Sequence, residues 1–385
     1  VSRNNETISL NTKYLIPNTI YKIPTLMPQR IIFTGTHFTP ALAVIEEIKK
    51  RGPWEIYYLG RKYTLEGEKI PSPESQILPK MGVKFIPIPA GRLQRRFTLW
   101  TIPSLLRVPF GFFKALKIIR KIKPKAIISF GGYVGVPVVV AGFLRHVPIL
   151  IHEQTATVGL ANKISARFAQ KIAISFPESK TFFPEGKVVF TGNPLRPEIF
   201  KSGKPLFPLN EKKKTIYITG GSQGASIINE TVEKCLLDLI IQYNVVHQCG
   251  AKDYSHFKGK KAKDYFPIDY VDNNAIGWVF EKADLVVSRG GANTILELAA
   301  LGKPAIIIPI PWATHNEQLK NAEFLAKNGL AEILPQEKLN PQSLKNLIEK
   351  MMANLSSYQK AGEKLKKTIP RNGAQKIVAE IYKLL

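Results

Sequence analysis

Short runs of β-branched and aliphatic residues alternate along the chain with stretches whose apolar positions recur every three or four residues. "RIIF" leads into "PALAVIEEIKKRG", "AIISF" into "VPVVVAGFLRH", and "ILIHE" into "LANKISARFAQ". A strand-like run followed by a helix-period run predicts a parallel βα unit, so the chain reads as α/β. The alternation pauses in a Pro- and Lys-rich segment from Asn193 to Lys214, then resumes with "TIYIT", "NVVHQ", "DLVVS" and "PAIIIP" as strands. Two Rossmann-like, doubly wound domains are therefore predicted, over residues 30–196 and 215–365, joined by a linker at 197–214. Residues 1–29 read as an extension without assigned function, and 366–385 as a last helix that packs back on the first domain. At 385 residues and 44% hydrophobic content there is enough apolar material for two cores.

The residues able to do chemistry fall just after the predicted strands, where ligands bind in open α/β sheets. In "TGGSQGAS", Gly220, Gly221 and Gly224 precede a helix whose first N–H groups are unpaired. Such a loop can cradle a diphosphate or simply turn a corner; three glycines with Ser222 and Ser226 favour phosphate. The spacing is neither G-x-G-x-x-G nor a P-loop, which counts against a redox dinucleotide and against P-loop NTPase chemistry. A second loop, "SRGGANTILELAALGKP", sets Glu297 one to two turns into a helix, as a carboxylate for two ribose hydroxyls, as a solvated helix residue or as an ion-pair partner. His37, in "TGTHFTPALAV", is either a neutral base near pH 7 or a loop histidine that caps a helix or packs against one.

Charge narrows the choice of partner. The net charge of +26 calls for an anionic one. Between Glu74 and Glu153 there is no acidic residue, and Arg92, Arg95 and Arg96 are interleaved with Leu93, Phe97, Trp100, Leu105, Leu106, Phe110 and Phe113. Cations mixed with blocks of apolar residues form an interfacial element for anionic lipid, favoured here over nucleic acid. The uncharged stretch from Ala126 to Leu144 has the length of a membrane span, but Gly131, Gly132, Gly135 and Pro137 divide it into strand, loop and helix. Cys235 and Cys249 lie in no zinc-site spacing, and a reducing compartment is expected.

Several motifs in order, "SFGGYVGVPVVVA", "HEQ…VGLANK", "TGNPLRPEI", "GGSQGAS", "SRGGANTILELAALGKPAIIIP" and "HNEQLKNA", give a chain that resembles the MurG family from about Arg30 onward. The resemblance implies a GT-B glycosyltransferase fold and a UDP-N-acetylglucosamine donor in the interdomain cleft. It also implies a lipid I acceptor, undecaprenyl-diphosphoryl-N-acetylmuramoyl-pentapeptide, reached peripherally at the cytoplasmic face of the membrane. Thr34, Gly35, Thr36 and His37 match the family's first glycine loop; Arg196, Gly221, Ser222 and Gln223 match donor contacts; Val271 matches a backbone contact to the base. Arg289, Gly290, Gly291, Ala292, Asn293 and Thr294 match the loop around the nucleotide, Glu297 the ribose carboxylate, and Glu317 and Gln318 the sugar contacts. Glu153 lies in the His-Glu-Gln run as a second catalytic candidate beside His37, and Thr155, directly after that run, matches a donor-binding position. The chain departs from the family in reading "IFTGTH" for G-G-T-G-G-H, Thr155 for Asn, and Glu317 for Gln.

The expected reaction is an inverting transfer in which His37 removes the acceptor proton, while Arg196 and the helix after "TGGSQGAS" stabilise the departing diphosphate. With no D-x-D sequence present, neither metal nor cofactor is expected, and turnover should persist in EDTA. The rival functions are a lipid glycosyltransferase with another acceptor, a sugar-nucleotide epimerase on the same fold, and a non-catalytic membrane-bound sugar-nucleotide binder.

Overall fold

The computed structural model describes residues 28–63, 71–89, 101–221, 224–260, 262–313 and 316–385, and of residues 101–108 only the backbone. Arg92, Leu93, Arg95, Arg96, Phe97, Trp100, Ser222 and Gln223 lie outside the described residues, as does most of the extension at 1–29.

The first sheet holds β1 (Gln29–Gly35), β2 (Trp54–Gly60), β3 (Lys84–Pro87), β4 (Ala126–Phe130), β5 (Ile149–Glu153), β6 (Lys171–Ile174) and β7 (Val188–Phe190). Its order is β3-β2-β1-β4-β5-β6-β7, parallel throughout. The second sheet holds β8 (Lys214–Thr219), β9 (Tyr243–Gln248), β10 (Tyr265–Ile268), β11 (Leu285–Ser288), β12 (Ala305–Ile307) and β13 (Ala331–Ile333), in the order β10-β9-β8-β11-β12-β13 and again parallel.

Around the first sheet run α1 (Phe38–Lys49), α2 (Pro73–Lys80), α3 (Thr101–Ile122), α4 (Gly135–Leu144) and α5 (Leu160–Ser165). Around the second run α6 (Ser226–Gln242), α7 (Ala251–Lys258), α8 (Ile276–Lys282), α9 (Ala292–Leu301), α10 (Glu317–Lys327), α11 (Pro341–Ala353) and α12 (Leu355–Leu365), and the last helix, α13 (Gly373–Tyr382), crosses back to the first sheet.

Helices on both faces explain why the central strands lack polar alternation: β4, β5, β11 and β12 are buried at every position. Ile127, Ile149, Val286 and Ile306 are fully buried there; each such side chain contributes roughly 1.5–3 kcal/mol relative to exposure. The stretch from Ala126 to Leu144 is β4, a glycine loop and α4, and among the described residues no helix is long and apolar enough to cross a membrane.

In each sheet the strand order reverses at one place, between β1 and β4 in the first and between β8 and β11 in the second. A crevice opens at such a switch point, outside the carboxyl ends of the strands. His37 and the Gly131–Gly132 pair follow β1 and β4, while Gly220–Gly221 and Arg289–Gly291 follow β8 and β11. Both clusters of candidate residues thus sit at switch points.

The segment at 197–214 is not a free tether. Its start is a 3-10 turn over Pro197–Phe200, and Ile199 is buried in the same apolar cluster as Trp278 and Val279 of α8. Gly277 makes that docking possible, since a Cβ on it would lie 1.8 Å from the carbonyl oxygen of Lys201. The chain's end returns to the first sheet: Ile377, Val378 and Ile381 of α13 share a core with Ala41, Val44 and Ile45 of α1. Trp54 Nε1 donates to Tyr382 Oη at 3.0 Å beside them. The rings of Phe176 and Phe324 meet edge to face, 5.2 Å between centroids, and join the two halves below the crevice.

Candidate functional site

Between the halves lies a cleft of about 440 Å³. Thr39, Leu42, Ala43 and Glu46 of α1, with Ile77 of α2, form one wall. Arg196, Gly221, Val271, Asn293, Thr294 and Glu297, all expected from the sequence, lie on the other, with Tyr217, Gln248 and Tyr270.

The loop after β8 answers to two demands. A Cβ on Gly220 would lie 2.3 Å from the nitrogen of Ala225, and one on Gly224 2.3 Å from the carbonyl oxygen of Cys249, so these two glycines are needed for packing. Gly221, at φ +85°, has no atom of the described residues within 4 Å of that position and opens on the cleft. Among the described residues no side chain caps the first turn of α6 behind it, nor that of α9, whose N-cap is Gly291. Both helices therefore offer positive N-terminal ends toward the same crevice.

Glu297, on the second turn of α9, is buried, and the guanidinium of Arg196 donates to both its oxygens, Nε to Oε1 at 2.9 Å and Nη2 to Oε2 at 3.1 Å. Such a fork fixes the carboxylate and balances its charge, yet each oxygen keeps a lone pair for a hydroxyl. The two residues are one unit rather than separate diphosphate and ribose groups. Gln248, at the end of β9, binds the wall together: its Oε1 accepts from Tyr217 Oη at 2.9 Å and from Val271 N at 3.2 Å, and its Nε2 donates to Gly221 O at 2.9 Å. The N–H of Val271 is thereby already engaged.

Gln318 and Asn321 of α10 organise the loop after β11. Gln318 Oε1 accepts from Gly290 N and Ile310 N, both at 3.1 Å, and Asn321 Nδ2 donates to Gly290 O at 3.0 Å. Asn321 Oδ1 also accepts from Ala156 N at 3.0 Å, and Asn193 Nδ2 donates to Asn293 Oδ1 at 2.8 Å, so amides stitch the two halves beside the cleft. Glu317 opens α10, and Ala292 is buried at the start of α9. Arg289 turns away from the cleft: it is buried and its Nη1 donates to Ile308 O at 3.0 Å, a correction to its place among the nucleotide contacts.

In the first half, His37 is the N-cap residue of α1, with no side-chain bond to the helix, and its Nδ1 lies 2.6 Å from Gln154 Nε2. Burial, with the Arg61 charge adding, pulls its pKa down to about 4. The ring is therefore neutral at pH 7. Gly35 and Thr36 shape the turn before it, with Thr36 N donating to Gly131 O at 3.1 Å.

Three expectations change here. Thr34 is fully buried within β1 and its Oγ1 donates to Leu59 O at 2.8 Å, so its side chain serves the sheet and not a ligand. Glu153 is sealed: Oε1 accepts from Thr155 N at 3.0 Å and Thr155 Oγ1 at 2.8 Å, Oε2 accepts from Asn162 Nδ2 at 2.9 Å, and burial pushes its pKa up. It holds the loop after β5 in shape instead of meeting a substrate. Thr155, itself buried, is the other half of that clasp, with its hydroxyl also on Thr157 O.

Phe110 and Phe113 on α3 are 69% and 65% exposed. Leu105 and Leu106 lie earlier on the same helix, where only the backbone is described. Leu160 and Phe182 are exposed on the same half, with Lys163 Nζ 5.8 Å from the Phe182 ring centroid.

Residues 31–174 match the glycosyltransferase family 28 N-terminal domain and 215–379 the family 28 C-terminal domain. A Bacillus cereus UDP-N-acetylglucosamine–N-acetylmuramyl-(pentapeptide) pyrophosphoryl-undecaprenol N-acetylglucosamine transferase is 37% identical, with 89% of this chain and 99% of the relative covered. A Clostridium botulinum transferase of the same name is 36% identical over 86% of this chain and 93% of its own. Among solved structures, MurG of Acinetobacter baumannii superposes with a TM-score of 0.73 at 26% identity, covering 92% of this chain and all of its own. A Neisseria meningitidis UDP-GlcNAc 2-epimerase, at 13% identity and a TM-score of 0.62 over 92% of this chain and 100% of its own, shares the fold alone. With the two parallel sheets facing one cleft, the fold is GT-B, and the chain belongs to the MurG family of N-acetylglucosamine transferases.

Proposed function

We propose that the chain transfers N-acetylglucosamine from UDP-N-acetylglucosamine to the muramoyl 4-hydroxyl of lipid I, giving lipid II. The observation that carries this reading is the Arg196–Glu297 fork beside Gly221, in a cleft between two switch points, within a chain of this family. The uridine ribose binds Glu297, its hydroxyls taking the lone pairs that Arg196 leaves free. The diphosphate lies over Gly221, where the positive end of α6 offsets the charge that grows on the leaving group. His37 receives the acceptor proton as the hydroxyl oxygen bonds to the anomeric carbon and the bond to UDP breaks.

The acceptor's polyprenyl tail stays in the bilayer. We assign the exposed Phe110 and Phe113, with Lys114 and Lys117 along the same helix, to a peripheral contact with anionic lipid on the cytoplasmic face, and expect no nucleic-acid partner. The test is turnover with UDP-N-acetylglucosamine and a short-chain lipid I analogue. A β-linked disaccharide lipid and one UDP per transfer are expected. Release of an epimerised sugar, or binding without product, contradicts the reading.

A further inference from the structure

His37 has two ring nitrogens, and its surroundings decide which carries the proton. Nδ1 faces the side-chain nitrogen of Gln154 at 2.6 Å, while Nε2 has no hydrogen-bond partner among the described residues. An amide N–H only donates, so Nδ1 must present its lone pair, and the neutral ring keeps its single proton on Nε2. Nε2 then meets an incoming hydroxyl as a donor. A base needs the opposite tautomer.

Gln154 contains the means to supply it. Its Oε1 is buried without a hydrogen-bond partner among the described residues, so the present orientation of the amide leaves one group unsatisfied. A half-turn about the last side-chain bond brings Oε1 to Nδ1, where it accepts Nδ1–H and leaves the Nε2 lone pair free. The backbone is held still meanwhile, because Glu153, Thr155 and Asn162 clasp the loop on both sides of Gln154.

We propose that Gln154 is a positioning residue that sets the tautomer of His37. In the unliganded enzyme it keeps the proton on Nε2, and the ring becomes a base only when the amide oxygen turns to Nδ1. Nε2 gives its proton to water and Nδ1 takes one, so the ring stays neutral. During transfer the hydroxyl proton passes to Nε2, the electron pair of the broken bond leaves with UDP, and Oε1 holds the Nδ1–H of the resulting imidazolium. This rests on His37 as the proton acceptor.

The experiment is a proton–nitrogen correlation spectrum of the full chain with nitrogen-15 histidine at pH 7, with His37 assigned by its loss in His37→Gln. In the free protein Nε2 should have the protonated, pyrrole-like shift and Nδ1 the bare, pyridine-like one. In Gln154→Glu, where a carboxylate can only accept, the two should exchange. Kinetically, Gln154→Met should lower kcat roughly ten- to a hundredfold with KM for UDP-N-acetylglucosamine within about twofold, and Gln154→Glu should recover most of the loss. Nδ1–H in the free wild type, an unchanged tautomer in Gln154→Glu, or equal losses in both variants would overturn the proposal. Full turnover in His37→Ala would instead remove the base assignment, and the spectrum would still report the tautomer that Gln154 imposes.

Discussion

Arg196 and Glu297 are 101 residues apart in sequence and meet through two hydrogen bonds, at 2.9 and 3.1 Å, on the wall of the cleft. The arginine follows the first sheet directly and the glutamate belongs to the second half. The pair fixes the carboxylate and spans the chain crossing. Glu297→Ala should therefore weaken UDP binding by about ten- to a hundredfold, the value of one or two charge-assisted bonds. Arg196→Ala should lose a similar factor by freeing the carboxylate, and the double variant should lose less than the product of the two. Titration calorimetry with UDP measures all three; independent, multiplying losses would show that the residues act separately.

For His37, removal of the imidazole should lower kcat by roughly a hundredfold or more, with UDP affinity unchanged. Its lowered pKa also fixes the shape of the pH profile. Burial, with the Arg61 charge adding, favours the neutral ring. A base must be neutral to work, so activity should persist as the pH falls through 6.5, and the acid limb of kcat/KM should lie nearer 4. A limb at the ordinary imidazole value would contradict the environment described for the ring.

Stability should follow the same sign. His37, His152 and His247 are held at about 4, about 3 and about 4, burial being the largest cause in each. Because the unfolded chain binds those protons first, stability is complete above about 6.5 and is lost as the pH falls toward the folded values. Glu153 and Glu46, both pushed upward with burial as the largest cause, work in the opposite sense, but they are two groups against three. Denaturant unfolding at pH 5 should give a lower free energy than at pH 7.5, by up to roughly 2 kcal/mol per histidine. Equal values at the two pH points would refute the shifts.

Phe110→Ser with Phe113→Ser should weaken sedimentation with anionic vesicles at least about tenfold while UDP affinity stays the same, since each buried phenyl contributes roughly 1.5–3 kcal/mol. Undiminished vesicle binding would move the lipid contact elsewhere on the chain.

The sheet centres are legible in the sequence because strands covered on both faces read as unbroken apolar runs: "AIISF", "ILIHE" and "DLVVS" are β4, β5 and β11. Edge strands such as β3 and β7 are three or four residues long and only partly buried, too short and too mixed to have a period. The segment at 197–214 has the prolines and lysines of a tether, and nothing local to it reveals that Gly277, far along the chain, leaves space for it to dock. Within the site, glycines and charges stand out by type and spacing, which singles out Gly221 and Glu297, whereas Arg196 enters by resemblance to the family; all three line the cleft. The amides that hold the site together are harder to see. Gln154, Asn193, Gln248 and Asn321 act through one to three hydrogen bonds across long separations, and their one hint is position at or just after a strand end or inside a recurring motif. Thr34 and Arg289 mislead for the opposite reason, since they border the glycine loops while their side chains bond inside the protein.

The most direct measurement is a structure of the protein with UDP-N-acetylglucosamine bound. The ribose hydroxyls should lie within hydrogen-bond distance of the Glu297 carboxylate, still forked by Arg196, with the diphosphate against the backbone at Gly221. A nucleotide bound elsewhere, with that cleft empty, would contradict the account.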